Sequence, residues 1–196
     1  MFPLFLQLLI STIIISTIHG QQYVIKQDFR SSYQYNSFSV LTNDIGRLIY
    51  RIETQYSLTY SGTIKSILPL NDFVIVARID TFLGSNFIFT FRILDPRLGI
   101  WIDGRISQRS MLIYVIELNT YQQIIIETSP PRTPQMSSLY TVRFRDALMT
   151  NKIYADYMQR SPWASVYDLR LFCNEYPLEL YLVGFAVVQR RTEMIL

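Results

Sequence analysis

The segment EYPLELYLVGFAVVQRR, residues 175–191, decides the fold of this chain. Between Leu178 and Val188 the only charged residue is Glu179, so a helix formed here would be apolar on every side. A helix of eleven residues extends about 16 Å, roughly half the thickness of a membrane, so it must be surrounded by protein. A β-barrel could surround it. The alternative interpretation is that ELYLVGFAVV forms a last central strand of a β-sandwich.

The residues around this segment favour the helix. Pro177 suits a first helical turn, and Gly184 permits the close approach of a surrounding wall. Arg190 and Arg191 follow where the helix would return to solvent, and their charges suit the C-terminal end of a helix dipole. The same two arginines are a candidate site for binding a phosphate or lipid headgroup.

The rest of the chain shows the two-residue period of β-strands. FIFTFRIL, residues 87–94, places three phenylalanines and an isoleucine on one face, and YSLTY, residues 56–60, alternates in the same way. About a dozen such short segments predict an all-β barrel or sandwich. No long linker divides them, so residues 21–196 are predicted to form a single domain.

Turn signals separate the predicted strands. They are TNDIG at 42–46, LPLND at 68–72, DPRLG at 95–99, the Asp-Gly pair at 103–104 and SPPRTP at 129–134.

Two of these turns belong to segments of similar sequence. FSVLTNDIG, residues 38–46, and FRILDPRLG, residues 91–99, share a Phe, a β-branched residue two positions later, a Leu, and a Gly at the same interval. Both predict a strand followed by a tight connection.

The first twenty residues, MFPLFLQLLISTIIISTIHG, are apolar and uncharged. They predict a secretory signal peptide, and we favour cleavage after Gly20, which would place the protein in the secretory pathway or outside the cell. The alternative is an uncleaved membrane anchor, for which the segment is short. The only cysteine, Cys173, follows an alternating strand pattern and is predicted to be a small buried hydrophobe.

Four stretches of the chain carry a resemblance to a known family. They are YVIKQDF at 23–29, FSVLTNDIGRLIYRIE at 38–53, KIYADYMQRSPWASVYDLRLF at 152–172 and the closing segment at 175–191. Together they resemble the LURP-one-related family, which is similar to the tubby C-terminal domain and to phospholipid scramblases. The resemblance implies a closed antiparallel β-barrel of about twelve strands around a central apolar C-terminal helix. The leader departs from the family pattern and puts a cytosolic role in doubt.

The sequence does not indicate an enzyme. Its only histidine, His19, lies in the leader, so the cleaved chain would contain no histidine for a catalytic triad, a general base or a metal site. Cys173 would lack a histidine partner, and neither a P-loop nor a GxGxxG motif is present. We therefore expect no catalysis, no cofactor and no metal.

Arginine usage indicates an anionic partner. Arg supplies fifteen of the eighteen basic residues, and its planar fork binds phosphates and carboxylates in pairs of hydrogen bonds. Arg143 and Arg145 in YTVRFR lie two residues apart, so both would project from one strand face and could grip a lipid headgroup. The alternative is a solvated face balanced by nearby carboxylates. The tubby relatives bind phosphoinositides, and the resemblance implies an anionic phospholipid surface as the partner; nucleic acid is not expected.

Two other functions remain open from the sequence. A secreted interaction module would suit the fourteen tyrosines, and a lipocalin-like carrier of an apolar ligand would suit a barrel with a leader. The interior distinguishes the carrier, because a barrel filled by its own helix has no room for a ligand.

Overall fold

The computed structural model describes residues 20–28, 35–56, 60–67, 73–82, 88–119, 122–129, 139–161 and 165–195. Side chains are described at these positions except 35–36, 55–56, 60, 67, 81–82 and 190–195. Nearly all of the leader, the turn predicted at 68–72 and most of that at 129–134 lie outside the described residues.

Twelve antiparallel strands form a closed barrel, as predicted. Each strand pairs with its neighbours in the chain, and β1 pairs with β12 to close the sheet. Closure leaves no unpaired edge. The strands are β1 (Gln22–Gln27), β2 (Tyr35–Thr42), β3 (Leu48–Tyr56), β4 (Tyr60–Ile67), β5 (Phe73–Phe82), β6 (Ile88–Asp95), β7 (Ile100–Ser110), β8 (Ile113–Leu118), β9 (Gln123–Thr128), β10 (Thr141–Asp146), β11 (Ile153–Gln159) and β12 (Val166–Leu171).

The helix α1 (Leu178–Ile195) follows the last strand and fills the barrel. The prediction of a central apolar helix is confirmed, and the sandwich interpretation is wrong. The helix is longer than the predicted segment, which ended at Val188. Residues from Leu180 to Val188 are buried on every side of the helix, as the absence of a polar face requires.

Aromatic rings join the helix to the wall. Phe185 stacks on Tyr157 with ring centroids 4.9 Å apart, and it meets Phe38 and Tyr167 edge-on at 5.4 and 5.1 Å. Fully burying a side chain of this size stabilises the fold by about 1.5–3 kcal/mol, and each aromatic pair adds roughly 0.5–1.5 kcal/mol. The helix is therefore the centre of the hydrophobic core.

Two local predictions are wrong. YSLTY was predicted as one strand, whereas Tyr56 ends β3, Tyr60 begins β4, and the two are cross-strand partners. The Asp103-Gly104 pair was predicted as a turn, whereas both residues lie inside β7. Gly104 is needed there because a Cβ at this position would lie 2.3 Å from Cζ of Phe91 on β6, its partner in the sheet.

The two similar segments, residues 38–46 and 91–99, end in hairpin connections of the same form. Gly46 donates its N–H to the Thr42 carbonyl at 3.0 Å, and Gly99 donates to Asp95 at 2.8 Å. Both glycines adopt a left-handed backbone, with φ of 64° and 66°. The repeated glycine spacing therefore reflects a repeated turn geometry.

The two ends of the barrel differ in what they carry. The entry end is defined here as the end where the chain reaches β1 and where α1 begins, together with the connections β2–β3, β4–β5, β6–β7, β8–β9 and β10–β11. The exit end is the opposite one, toward which α1 runs and where the β7–β8 connection lies. Antiparallel pairing around a closed sheet imposes this division on every connection.

Candidate functional site

The predicted arginine pair lies on the outer wall of the barrel. Along β10 the residues alternate, with Val142 and Phe144 buried in the core and Arg143 exposed. Arg145 shares the outer face with Arg143, as its spacing predicted, although it is only partly exposed. The structure thus places Arg143 and Arg145 on one surface, and their role in binding stays a prediction.

Carboxylates lie beside both arginines. Arg145 Nε donates a hydrogen bond to Glu127 Oε1 on β9 at 2.7 Å. Arg143 lies between Glu127 and Asp156 in the cross-strand register, and it makes no ion pair with any residue that the structure describes. Arg143 is therefore the member of the pair whose guanidinium is available to an outside anion.

A row of alternating charge crosses this wall. Glu127, Arg143, Asp156 and Arg170 are successive cross-strand neighbours on β9, β10, β11 and β12. Burial raises the pKa of the Asp156 carboxyl, and the charges of Arg170 and Arg143 partly oppose that rise. The row is close to neutral, which limits how strongly it attracts an anion.

The second predicted pair, Arg190 and Arg191, lies in the last turns of α1. The helix continues past them to Ile195 rather than ending near Val188. Their side chains lie outside the described part of the structure, so their role as a binding pair stays a prediction.

An open cleft of about 960 Å³ lies over β5 to β8 and reaches the start of β9. Its arginines face carboxylates: Arg92 Nε donates to Asp103 Oδ1 at 2.6 Å, and Arg105 pairs with Glu117. Arg78 lies opposite Arg92 on the neighbouring strand and lines the same cleft. The balanced charges do not make the cleft a strongly basic site.

The entry end carries a set of exposed apolar side chains. They come from four described connections, β2–β3, β6–β7, β10–β11 and the one between β12 and α1, and from the first residues of β3, β5 and β7. Leu148 is 91% exposed and Ile45 is 73% exposed, so these side chains project well beyond the core. We call this set the apolar rim; its members are Ile45, Leu48, Phe73, Val74, Leu98, Ile100, Trp101, Leu148, Met149 and Phe172.

Polar contacts hold the connections of the rim in place. Arg97, in the β6–β7 turn, donates from Nη1 to the Asn174 carbonyl at 3.1 Å and pairs with the buried carboxylate of Asp95 at 3.3 Å. Lys152, beside the β10–β11 turn, pairs with Glu175 at 2.6 Å. Both contacts join a hairpin turn to the segment that leads into α1. These contacts therefore fix the two connections, and the rim residues on them, relative to the start of α1.

A buried acid lies just inside the same end. Glu179, in the first turn of α1, is only 2% exposed and accepts a hydrogen bond from the Tyr50 hydroxyl at 2.7 Å. Burial raises the pKa of Glu179, and the Tyr50 hydrogen bond partly opposes the rise. Burial and the nearby Glu179 also raise the pKa of Tyr50, which keeps its hydroxyl protonated as the donor. This pair joins the helix to β3.

Sequence reasoning missed the apolar rim. Its available signal was the presence of Ile45, Leu98 and the Leu148-Met149 pair inside turn segments, where polar residues are the rule. Each of these residues taken alone is unremarkable, because single exposed apolar residues are common. They form a recognisable surface only when closure of the barrel brings them to one end.

Two chemical features are absent from the part of the chain that the structure describes. No group of three or more His, Cys, Asp or Glu side chains is arranged to hold a metal ion there. Within the same ranges, no helix combines the length and the hydrophobicity of a membrane span.

Comparison of the chain with protein-family models, curated proteins and solved structures finds no match. The resemblance to the LURP-one-related family therefore rests on the four stretches quoted from the sequence, and it stays a prediction.

Proposed function

We propose that this protein is a non-enzymatic binding protein, with a fold resembling the tubby C-terminal domain, that associates with membrane surfaces containing anionic phospholipids. The observation that carries the proposal is the apolar rim at the entry end. Exposed apolar side chains gathered on one face mark a surface that is covered in use, by a membrane or by a partner.

The form of the rim favours a membrane over a protein. Its side chains project singly or as adjacent pairs, such as Leu148 and Met149, from separate connections and strand starts around the mouth of a closed barrel, with polar residues between them. Lipid can close around each projecting side chain, whereas a protein interface needs a contiguous apolar core. Trp101 and Phe172 belong to the rim, and aromatic residues, above all Trp, are enriched at the boundary between lipid and water.

Basic side chains at the same end supply the anionic preference. Arg47 is exposed in the β2–β3 connection, and Lys65, which pairs with Glu53 at 2.7 Å, lies 6.0 Å from the centre of the Phe73 ring. A basic residue near an anionic membrane contributes about 1 kcal/mol, which salt weakens. The wall that carries Arg143 and Arg145 would add to this attraction if the barrel tilts toward it.

The filled interior argues against a carrier of the lipocalin kind. Leu182, Phe185 and Val188 of α1 occupy the space in which such a barrel would hold an apolar ligand. A secreted interaction module remains the second candidate, because a protein partner could also cover the rim.

Flotation with vesicles tests the proposal. All described strands and the helix lie within residues 20–195, so the chain from Gly20 to Leu196 would be floated with vesicles of phosphatidylcholine alone or with phosphatidylserine added. We expect flotation with the anionic vesicles that weakens as salt is raised. No flotation with either vesicle at low salt would reject membrane binding and leave the interaction module as the better function.

A further inference from the structure

We propose that two copies of this chain associate through the outer wall formed by β9 to β12. The centre of the contact would be the charge row, which is defined as Glu127, Arg143, Asp156 and Arg170. The two copies would be related by a two-fold axis, the commonest symmetry of protein dimers. This inference goes beyond the proposed function and does not depend on it.

The order of the charges along the row is self-complementary. From β9 to β12 the signs run negative, positive, negative and positive in the cross-strand register. The next neighbours in the same register, Ile113 on β8 and Gln22 on β1, are uncharged, so the pattern is confined to these four strands. A second row laid over the first in reverse order therefore opposes every charge with one of the opposite sign.

A two-fold axis parallel to the strands, between β10 and β11, produces this reversed order. Arg143 of each copy then faces Asp156 of the other copy, and Glu127 faces Arg170 of the other copy. An axis along the row would instead bring like charges together, which opposes association. The charge pattern thus selects one of the two face-to-face arrangements.

Three members of the row make no ion pair with any described residue. Arg143 and Arg170 are exposed on the outer face. Asp156 lies between them, and its Oδ1 is buried without a hydrogen bond from any described group. Burial raises the pKa of Asp156 although Arg170 and Arg143 oppose the rise, so a further guanidinium beside this carboxyl would be favourable. These three side chains are therefore available to a second copy.

The surroundings of the row suit a contact between proteins. Glu127, the fourth member, is bonded to Arg145 through Oε1, but its side chain remains 38% exposed and can be reached from outside. Half-buried apolar side chains lie beside the row on the same outer face, Met158 on β11 and Ile125 on β9. Their burial in the contact would add a hydrophobic contribution to the charge pairs.

The neutrality of the row favours a second copy over a polyanion. Two negative and two positive groups give no net attraction for an anionic surface, but they match another alternating row. Because the wall of a barrel is convex, two walls would touch over few strands and bury a small area. We therefore expect a weak dimer whose stability falls as salt screens the charges.

The arrangement also determines where the two apolar rims lie. A two-fold axis parallel to the strands leaves the strand direction unchanged, so the entry ends of both copies lie on the same side of the dimer. Each barrel would lean from the axis by the tilt of its strands, about 35–45° in closed barrels. Two rims on one side could engage one surface together, which would strengthen binding without any new contact.

Analytical ultracentrifugation without vesicles tests the dimer. The chain from Gly20 to Leu196, which contains every described strand and the helix, would be sedimented over a range of concentrations. A reducing agent would ensure that Cys173 cannot link two copies. We expect a reversible equilibrium between monomer and dimer at low salt that shifts toward the monomer at high salt. A monomer at every concentration at low salt would overturn the proposal, and so would a dimer that salt does not weaken.

Reversal of single charges identifies the surface. Arg143→Glu and Asp156→Arg should each weaken the dimer at least about tenfold, because each variant opposes like charges at two contacts. An equimolar mixture of the two variants should dimerise again, because every contact between the row centres of the mixed dimer joins opposite charges. A mixture that stays monomeric, while circular dichroism shows both variants folded, would remove the row from the interface.

Two further measurements complete the test. Arg78→Glu is the matched control, because Arg78 is exposed on β5, far around the barrel from the row, and the substitution changes the net charge as Arg143→Glu does. Its dimer should be as stable as that of the parent, and an equal loss would show that net charge rather than the row controls association. If Asp156→Arg does not fold, Glu127→Arg mixed with Arg170→Glu should form a dimer that neither variant forms alone, and failure of that mixture would overturn the proposal.

Discussion

Gly184 at the middle of α1 lies directly against the ring of Phe144 on β10. A Cβ on Gly184 would be 2.5 Å from Phe144 Cε1 and 3.2 Å from Cδ1 of Ile126. The Phe144 ring cannot simply turn away, because it is fully buried and meets Tyr181 edge-on at 5.4 Å.

This contact predicts that Gly184→Ala destabilises the protein. Helix propensity alone would stabilise it by about 1 kcal/mol, but overpacking of a core costs about 1–3 kcal/mol. Urea denaturation should show a net loss of stability, and Gly184→Leu should lose more. Gly62→Ala is the control, because the nearest atom to its added Cβ is at an ordinary 3.4 Å. An alanine variant at position 184 that is more stable than the parent would show that the helix is not packed so closely.

The buried Glu179 predicts a defined pH dependence. Its pKa is raised above the ordinary 4.5 by burial, so the folded protein holds this proton more tightly than the unfolded chain does. The stability that this carboxyl contributes is complete below about pH 4.5 and is lost as pH rises through the raised value. Glu179→Gln should therefore match the parent near pH 4 and exceed it at pH 8, by about 1.4 kcal/mol per unit of pKa shift. Denaturation at both pH values would measure the difference, and a variant less stable at pH 8 would contradict it.

Two tyrosines predict opposite responses to loss of a hydroxyl. The Tyr157 hydroxyl is buried and has no hydrogen-bond partner among the described residues. Tyr157→Phe should be neutral or stabilising, because an unsatisfied buried hydroxyl costs about 1–3 kcal/mol. Tyr50→Phe should destabilise, since it removes the donor to Glu179. Thermal denaturation of the two variants measures this, and equal shifts in Tm would count against both assignments.

Rim substitutions should weaken vesicle binding without unfolding the protein. Leu98→Ser with Trp101→Ser removes two exposed apolar side chains. A side chain that inserts fully contributes about 1.5–3 kcal/mol, so the double variant should bind at least about tenfold more weakly. Met111→Ser at the exit end is the control and should bind as the parent does. Unchanged flotation of the double variant would remove the rim from the binding surface.

Arg143 and Arg145 should contribute unequally to the binding of anionic vesicles. Arg143→Ala should reduce binding to anionic vesicles by roughly fivefold at low salt, the effect of about 1 kcal/mol per basic residue near the membrane. Arg145→Ala should reduce it less, because this guanidinium is already paired with Glu127. The free energy of unfolding should change by less than about 1 kcal/mol for Arg143→Ala, because this side chain is exposed and makes no ion pair with a described residue. Full retention of binding in the double variant would exclude both residues.

The core was predictable because its signal is local. An apolar run from Leu180 to Val188 with no polar face demands a surrounding wall, and alternating segments such as that around Phe89 and Phe91 supply one. The boundary between β3 and β4 was not predictable, because the alternation in YSLTY is the same whether Tyr56 and Tyr60 lie on one strand or face each other on two.

The proposed binding surface was less predictable because it depends on contacts between distant parts of the chain. The spacing of Arg143 and Arg145 placed both on one face, but only the strand register places Glu127 and Asp156 beside them. The rim depends in the same way on closure, which brings Ile45 and Leu148 to one end of the barrel. Pairing across more than a hundred residues leaves no local signature.

The position of α1 after all twelve strands has a consequence for synthesis. During translation every strand leaves the ribosome before the helix around which the strands pack, and β1 must wait for β12 to find its partner. Such long-range pairing is slow, and the barrel cannot close before β12 has been made. A nascent chain arrested before Leu178 would contain all twelve strand segments but lack the helix that fills the core. Folding of this protein is therefore expected to be post-translational, with the unfinished chain dependent on chaperones until the helix emerges.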